Sequence, residues 1–257
     1  MLERQRKETI LRLVDLHKFT SVHEVVEATG ASESTIRRHF IELENEKQLL
    51  RVRGGVQRHS DAVSEEGISN VSSFDLRTTI NKEKKRRIAK EAVSFLKDGE
   101  TIFIDGGTTT FQMVEFLSSF TLTVVTNSFA VASHLLRHSK CTIILPEGIV
   151  DPESQLIMSN LTPDPYQNYA AAKAFMGIQG ISETSLTNSA PLIIQSERAM
   201  IAHAQELIIL ADDSKFGHVG SMTLCSVDKA SRIITTKEAD PELTAKLSDT
   251  GIRIIKV

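Results

Sequence analysis

The segment ASESTIRRHF, residues 31–40, contains the first residues of the chain whose types and spacing could do chemistry. Arg37 and Arg38 are adjacent, and a guanidinium group can pair bidentately with guanine or clamp a phosphate. The short hydroxyl donors that precede them, where a helix N-terminus also favours phosphate, are Ser32, Ser34 and Thr35. Alternatively, the two arginines only keep a helix face solvated. The elements around them must decide between these interpretations.

The segment IDGGTTT, residues 104–110, is the second candidate. A strand ends in an aspartate, two glycines follow, and three threonines open a helix. Backbone N–H groups, hydroxyls and a carboxylate in this order suit a phosphate or sugar hydroxyls. The alternative is a structural strand–glycine–helix turn. The residues of this candidate site, including the polar end of the next strand, are Asp105, Gly106, Gly107, Thr108, Thr109, Thr110, Thr126, Asn127 and Ser128.

The residues before position 59 carry the pattern of three short helices followed by a hairpin, which is typical of a winged helix-turn-helix. Ser32 caps the third helix, and its apolar stripe is Ile36, Phe40 and Leu43. On a helical wheel Ser34 and Arg38 then point away from the core, Arg37 and Thr35 lie on the flanks, and His39 lies at the edge of the buried stripe. The exposed strip is therefore predicted to enter the major groove.

The hairpin predicted over LLRVRGGVQRH would add a basic wing. Arg51 and Arg53 are expected to contact phosphates or the minor groove, with Arg58 nearby, and Gly54-Gly55 would allow close approach. Residues 1–58 contain 11 Lys or Arg and 9 Asp or Glu, so their positions matter more than the total.

A change of pattern divides the rest of the chain. Residues 59–76 are polar and rich in Ser, Asp and Glu, as expected of a linker. From residue 77 to 257, apolar strands alternate with helical patterns, which predicts an α/β fold with a parallel, doubly wound sheet covered on both faces. The basic run Lys82, Lys84, Lys85, Arg86 and Arg87 is predicted to be a solvated helix face.

Composition excludes several classes of protein. The chain is 40% hydrophobic and 25% charged with a net charge of −3, as in an ordinary soluble protein. Cys141 and Cys225 lie in apolar runs and indicate core residues of a reduced, cytoplasmic protein rather than a disulfide framework. The scattered histidines give no metal-ligand spacing, so neither a metal nor a cofactor is expected. No apolar run is long enough for a membrane span.

Several motifs, in one order along nearly the whole chain, resemble the DeoR family of bacterial transcriptional regulators. They are TIRRHFIELENEKQLLRVRGGV, KRRIAKEAV, DGETIFIDGGTTT, LTVVTNS, LPEG, FMGIQGI and LADDSKFG. The resemblance implies a winged helix-turn-helix joined to a sensor of the ribose-phosphate-isomerase-like fold. It also implies a repressor of a carbohydrate-catabolic operon that a phosphorylated sugar or related metabolite releases from double-stranded operator DNA.

The resemblance also implies further site residues, and at five positions the chain departs from the family's usual pattern. Lys215 resembles the family's retained lysine and would neutralise a phosphate, and Arg198 would be a second cation. Departures outside the expected pocket are His39 and Lys47. Departures around the pocket, which bear on the choice of ligand, are Glu147, Ser185 and Glu197. Glu147 is expected to add bulk and negative charge near an anion site, favouring a ligand with an amine or fewer phosphates.

Other functions stay open at this point. An activator or dual regulator has the same sequence pattern as a repressor. A sugar-phosphate isomerase could use Asp105 and Lys215 as acid and base, although it would have no use for residues 1–58. We also expect a homodimer or homotetramer, because helix-turn-helix proteins bind paired half-sites, and a bacterial cytoplasmic protein found at the nucleoid when bound to DNA.

Overall fold

The structure is a computed structural model that describes residues 3–17, 19–46, 48–52, 55–58, 72–159, 162 and 164–257. The chain forms two compact units, Met1–Asn70 and Val71–Val257.

The described residues of the N-terminal unit form three helices and three strands. They are α1 (Glu3–His17), β1 (Phe19–Ser21), α2 (Val22–Thr29), α3 (Glu33–Asn45), β2 (Leu49–Val52) and β3 (Gly55–Arg58). The strands form an antiparallel sheet in the order β1-β3-β2, in which Thr20 pairs with Val56 and Arg51 with the same Val56 from the other side. The core between helices and sheet consists of Ile10, Val14, Val22, Val25, Ile36, Phe40, Leu43, Leu49 and Val56.

Local capping fixes the turn between α2 and α3. Ser21 and Glu24 form a reciprocal capping box at the start of α2. Gly30 ends that helix with φ 66°, a left-handed conformation that glycine adopts without strain, and Ser32 caps α3. The predicted winged helix-turn-helix is confirmed, with β1 as an unpredicted third strand. A three-residue strand is too short to show a periodic pattern.

The C-terminal unit alternates strands and helices, as predicted. Its helices are α4 (Ser73–Thr79), α5 (Lys82–Val93), α6 (Thr108–Phe111), α7 (Phe129–His138), α8 (Pro191–Ala202) and α9 (Pro241–Asp249). Its strands are β4 (Thr101–Ile104), β5 (Thr123–Thr126), β6 (Thr142–Ile144), β7 (Ile149–Asp151), β8 (Leu156–Met158), β9 (Ala171–Gly177), β10 (Gly180–Ile181), β11 (Ser185–Asn188), β12 (Ala204–Leu210), β13 (Met222–Ser226), β14 (Ala230–Thr235) and β15 (Arg253–Lys256).

Seven of these strands form, within the described residues, a parallel sheet in the order β15-β14-β12-β9-β4-β5-β6. Side chains alternate across it. Phe103 belongs to the core under α8 and α9, whereas Ile102 and Ile104 belong to the core under α5 and α7. The sheet is therefore covered on both faces, which confirms the predicted α/β class. The strand order reverses between β4 and β9, the point where open α/β sheets bind ligands.

Smaller elements flank this sheet. β10, β11 and β13 form an antiparallel sheet, and β7 and β8 form a hairpin, neither of which the sequence predicts. Cys225 lies half-buried in β13 and Cys141 half-buried just before β6. Helix α4 begins at Ser73, inside the stretch 59–76 predicted as a linker. No helix in the described ranges is long and apolar enough to cross a membrane.

Candidate functional sites

Helix α3 presents the predicted polar strip. Ile36, Phe40 and Leu43 are buried, whereas the side chains of Arg37 and Arg38 are both 64% exposed. At the helix N-terminus the Ser32 hydroxyl accepts from the Thr35 backbone N–H and contacts the hydroxyls of Ser34 and Thr35. The strip therefore joins three hydroxyls and two guanidinium groups on a rigid, capped element.

Both arginines form ion pairs within the helix. Arg37 lies 3.2 Å from Glu33, and Arg38 lies 3.7 Å from Glu42, each one turn away. Exposed pairs of this spacing contribute only about 0.3–0.5 kcal/mol. An arginine that leaves its glutamate partner to bind a DNA phosphate or a guanine edge therefore loses little free energy. Before DNA binds, the ion pairs hold both arginine side chains along the strip.

The strand β2 places Arg51 beside the C-terminal half of α3. Both its backbone N–H and its guanidinium group donate to Glu44, whose pKa is lowered chiefly by these hydrogen bonds. Arg51 is half-exposed, so a phosphate would have to compete with Glu44. Arg53 and Gly54 lie outside the described residues, as does the side chain of Arg58.

His39 is fully buried, as expected of a residue at the edge of the stripe. Its Nε2 accepts from Arg6 at 3.2 Å, and its Nδ1 lies 3.1 Å from Glu42. Ligand atoms of Glu3, His39 and Glu42 lie within 4.8 Å of one another, a cluster that the sequence spacing does not reveal. Lys7 pairs with both glutamates, at 3.9 Å and 3.0 Å, and thereby supplies the positive charge. We therefore assign the cluster to packing of α1 on α3.

The second site is a cavity of about 620 Å³ at the carboxyl ends of β4 and β9. It lies at the reversal of strand order. Predicted residues that line it are Asp105, Gly106, Gly107, Thr108, Thr109 and Lys215. A Cβ at position 106 would lie 1.8 Å from Leu156 Cδ2, so the Leu156 side chain would have to move to accept a larger residue there.

Asp105 is buried at the floor of this cavity. Burial raises its pKa to about 6, against hydrogen bonds from the backbone N–H groups of Gly106 and Gly177 and from the Asn127 amide, which favour the carboxylate. The Asn127 bond to Oδ1 is 3.4 Å long. The Gly106 N–H therefore binds the aspartate, rather than standing free for a ligand as the sequence suggests.

Glu197 of α8 is a second buried carboxyl that lines the cavity, and it is 1% exposed. Its Oε1 accepts from Asn188 at 2.6 Å, whereas its Oε2 is buried without a hydrogen-bond partner among the described residues. Burial, followed by the charge of Asp105, raises its pKa well above the ordinary range. The cavity thus holds two acids that resist ionising together.

Two lysines also line the cavity. Lys85 is 6% exposed and donates to the Arg77 carbonyl at 2.5 Å, and burial lowers its pKa to about 8. The prediction of a solvated helix face is therefore wrong for Lys85. Lys215 is half-buried, and among the described residues its ammonium group has no hydrogen-bond or ion-pair partner. The positive charge of Lys85 lies nearby and repels that of Lys215.

Other predicted residues lie beside the cavity rather than in its lining. The hydroxyls of Thr110 and Thr126 bond backbone carbonyls, and Ser128 caps α7. Asn127 supports Asp105 and leaves its buried Oδ1 without a partner within the described chain. Arg198 donates to the carbonyls of Thr223 and Leu224, which places it outside the lining.

The sequence does not single out several lining residues. Gln179 and Asn188 are joined by a 2.9 Å bond from the Gln179 N–H to Asn188 Oδ1, and Asp212 accepts from Asn81 at 3.3 Å. The polar ends of β9 and β11 are the signal that could have found them. Glu147 is exposed and Ser185 is half-buried, and both lie outside the lining, so of the three pocket departures only Glu197 reaches the cavity.

The chain matches two family models. One, described as the DeoR-like helix-turn-helix domain, matches residues 6–62, and the other, described as the DeoR C terminal sensor domain, matches residues 80–237. A partial structural similarity to ribose 5-phosphate isomerase A of Methanocaldococcus jannaschii has a TM-score of 0.38, 22% identity, and covers 53% of this chain and 55% of that one.

Curated relatives match over the full length. The chain is 30% identical to the uncharacterized HTH-type transcriptional regulator FruR of Bacillus subtilis, over 100% of both chains. It is 29% identical to YulB of the same organism, over 100% of this chain and 98% of the relative, and 27% identical to the HTH-type transcriptional regulator UlaR of Escherichia coli O1:K1, over 100% of both. Both domains and these full-length relatives show that the chain belongs to the DeoR family of transcriptional regulators, with a DNA-binding head and a sensor domain.

Proposed function

We propose that this protein represses a carbohydrate-catabolic operon and leaves its operator when a phosphorylated sugar or related metabolite enters the cavity at the reversal point of the sensor sheet. The observation that carries the proposal is Lys215, a cation with no ion-pair or hydrogen-bond partner among the described residues, in a cavity that also holds an aspartate and a glycine–threonine loop. A lysine binds a phosphate as a point charge. Asp105 would accept from sugar hydroxyls.

The operator is read by the strip on α3. Arg38 and Ser34 would meet base edges, and Arg37, Ser32 and Thr35 the phosphates beside them. Arg51 and Arg53 of the wing would contact phosphates or the minor groove. Arg198 is not part of the proposed effector site, because its guanidinium group is engaged by β13 carbonyls.

The wall of the cavity suggests how binding is transmitted. Arg77, Ile80 and Asn81, at the end of α4 and the start of α5, line it. Helix α4 follows the residues that join the two units in sequence, and it is fixed to the loop before β8 by bonds from the Ser73 hydroxyl and the Phe74 N–H to the Glu153 carbonyl. Effector binding would shift this wall, change the placement of the heads and lower operator affinity.

We further propose a homodimer or homotetramer assembled through the sensor and acting in the bacterial cytoplasm at the nucleoid. Paired half-sites favour a dimer. Large apolar side chains are exposed on the sensor, with Leu136 of α7 at 70% and Ile149 of β7 at 69%. Sedimentation of the purified protein tests this, and a monomer at operator-binding concentrations would contradict it.

The central test measures operator binding and its release. The protein should shift its own upstream DNA at low salt, and a panel of phosphosugars should contain at least one that reverses the shift. Lys215→Ala should keep the shift and lose the release, and Lys140→Ala, an exposed lysine outside the cavity, should behave as the parent. No DNA shift, no release by any phosphosugar, or turnover of phosphosugars at an enzymatic rate would refute the proposal.

The direction of regulation needs a separate experiment. Deletion of the gene should raise expression of the neighbouring catabolic genes if the protein is a repressor. An activator or a dual regulator of the same architecture would lower some of them. The distinction rests on where the operator lies relative to the promoter, so transcription from the promoter in vitro, with and without protein, decides it.

A further inference from the structure

The cavity contains one feature that an anionic sugar phosphate does not satisfy. Glu197 Oε2 is buried and has no partner among the described residues, although Oε1 of the same carboxyl accepts from Asn188 at 2.6 Å. A buried polar atom without a partner lowers the stability of the folded protein. A residue that lines a cavity and keeps such an atom is suited to a ligand group that donates to it.

Charges of like sign lie near one another in the cavity, although Asp212, which also lines it, favours the charged form of Lys85. Asp105 and Glu197 interact through space as like charges, and Lys215 and Lys85 do the same. The described residues contain no ion pair between Glu197 and either lysine, although all three line one cavity. Glu197 and Lys215 thus have no ion-pair partner among the described residues, and together they are complementary to a ligand that carries both signs of charge.

We propose that the effector is an amino-substituted sugar phosphate, whose ammonium group binds between Glu197 and Asp105 and whose phosphate binds at Lys215. This inference rests on the proposed function and names the chemical class of its effector. An ammonium group has three donors, enough for Glu197 Oε2 and the Asp105 carboxylate together. Its positive charge also removes the repulsion that keeps the two acids from ionising together.

A divalent cation is the competing occupant of a site with two carboxyls. Ca²⁺ takes six to eight oxygen ligands, whereas Mg²⁺ often takes one or two carboxylates together with substrate phosphates. Asp105 and Glu197 do not belong to any group of three or more close metal-ligating side chains in the described part of the chain. The described residues thus form no complete metal cage, and a Mg²⁺ ion shared between the two carboxyls and the effector phosphate becomes an outcome of the test.

The test compares twins, meaning two sugar phosphates that differ only in whether one substituent is an amine or a hydroxyl group. Binding of glucosamine 6-phosphate and glucose 6-phosphate, and of galactosamine 6-phosphate and galactose 6-phosphate, is measured by calorimetry on the full chain. At least one amine should bind about tenfold or more tightly than its hydroxyl twin. Because the acids are partly protonated in the free protein, that amine should also release protons, seen as a dependence of the heat on the ionisation enthalpy of the buffer.

Two variants locate the selectivity. Glu197→Gln keeps the shape and the Asn188 bond and should reduce the ratio between twins to within about threefold. Glu147→Gln, the same change at an exposed glutamate outside the cavity, should leave the ratio unchanged. Retained operator binding by both variants shows that they fold.

The inference is overturned if no amine binds more tightly than its twin, if the ratio survives Glu197→Gln, or if the hydroxyl twin binds as tightly once Mg²⁺ is added. These three results would overturn the inference about the amine without overturning the proposed function. If a phosphosugar without an amine releases the operator, the proposed repressor function holds, but the inference that the effector carries an amine fails. Failure of every phosphorylated compound to release the operator would remove the repressor mechanism itself.

Discussion

The Asn188 amide donates to Glu197 Oε1 at 2.6 Å and leaves Glu197 Oε2 buried without a partner in the described structure. This bond fixes the carboxyl of an α8 residue by the last residue of β11. One oxygen is thus committed to the fold, while the other stays buried and without a partner among the described residues. The stability of the free protein should reflect this arrangement.

Glu197→Gln should stabilise the free protein at neutral pH. The folded-state pKa of Glu197 is raised, so the parent protein loses stability as pH rises from about 4.5, where the unfolded carboxyl ionises, up to the folded pKa. The advantage of glutamine should therefore be absent near pH 4 and grow with pH. Thermal unfolding from pH 4 to 8 measures it, with Glu147→Gln as the control. A gain of equal size at pH 4 would contradict this origin.

Arg38→Ala and Arg37→Ala should weaken operator binding in different ways. Loss of a base contact by Arg38 should cost about 1–3 kcal/mol and relax the preference for one base pair. Loss of a phosphate contact by Arg37 should weaken binding to all sequences and reduce the dependence of log affinity on log salt by about one unit. Fluorescence anisotropy with operator and scrambled DNA at several salt concentrations distinguishes them. Identical profiles for both variants would refute the distinction, and effector binding should stay intact in both.

Affinity for an anionic effector should fall as pH rises through about 8, because Lys85 loses its charge there. Burial lowers the pKa of Lys85, and an anion bound in the cavity raises it again, so binding above pH 8 takes up a proton. Calorimetric titrations between pH 7 and 9.5 show the trend. Lys85→Met, neutral throughout, should bind more weakly at pH 7 and lack this component of the pH dependence. A parent protein whose affinity stays level across this range would exclude Lys85 from the anion site.

Asn81 offers a test of the junction between α4 and α5. It has φ 53°, a left-handed conformation that costs most residues about 1–2 kcal/mol, and its side chain donates to Asp212. Asn81→Ala should destabilise the sensor through both effects, whereas Asn81→Gly should lose only the hydrogen bond. The melting temperature should therefore rank alanine below glycine. The reverse order would mean that the conformation at position 81 is not left-handed in solution.

The sequence predicts the elements whose signal is local. The stripe of Ile36, Phe40 and Leu43 repeats with the helical period, and the burial of these residues confirms it. The carboxyl end of β4 is recognisable because polar residues interrupt an apolar strand at Asp105. A parallel sheet brings such strand ends to one edge, and this is why the cavity contains the predicted loop.

Other features depend on packing between distant segments. Glu197 and Arg198 are adjacent on α8, about 100° apart, and no local pattern decides which of them turns to the cavity. The structure places Glu197 there and Arg198 on β13. Lys85 lies in a basic run that looks solvated, and it is buried because α5 packs on the sheet with Lys85 next to Arg77 of α4.

The position of the Ile80–Asn81 junction separates two tasks that a sensor must perform. Residues of α8 and the strand ends line the cavity and would choose the ligand, whereas the junction, which also lines it, would report that the cavity is full. A change of ligand could then be engineered at position 197 without rebuilding the reporting wall. Such a modular layout would let one regulator scaffold be retuned as a biosensor for different metabolites.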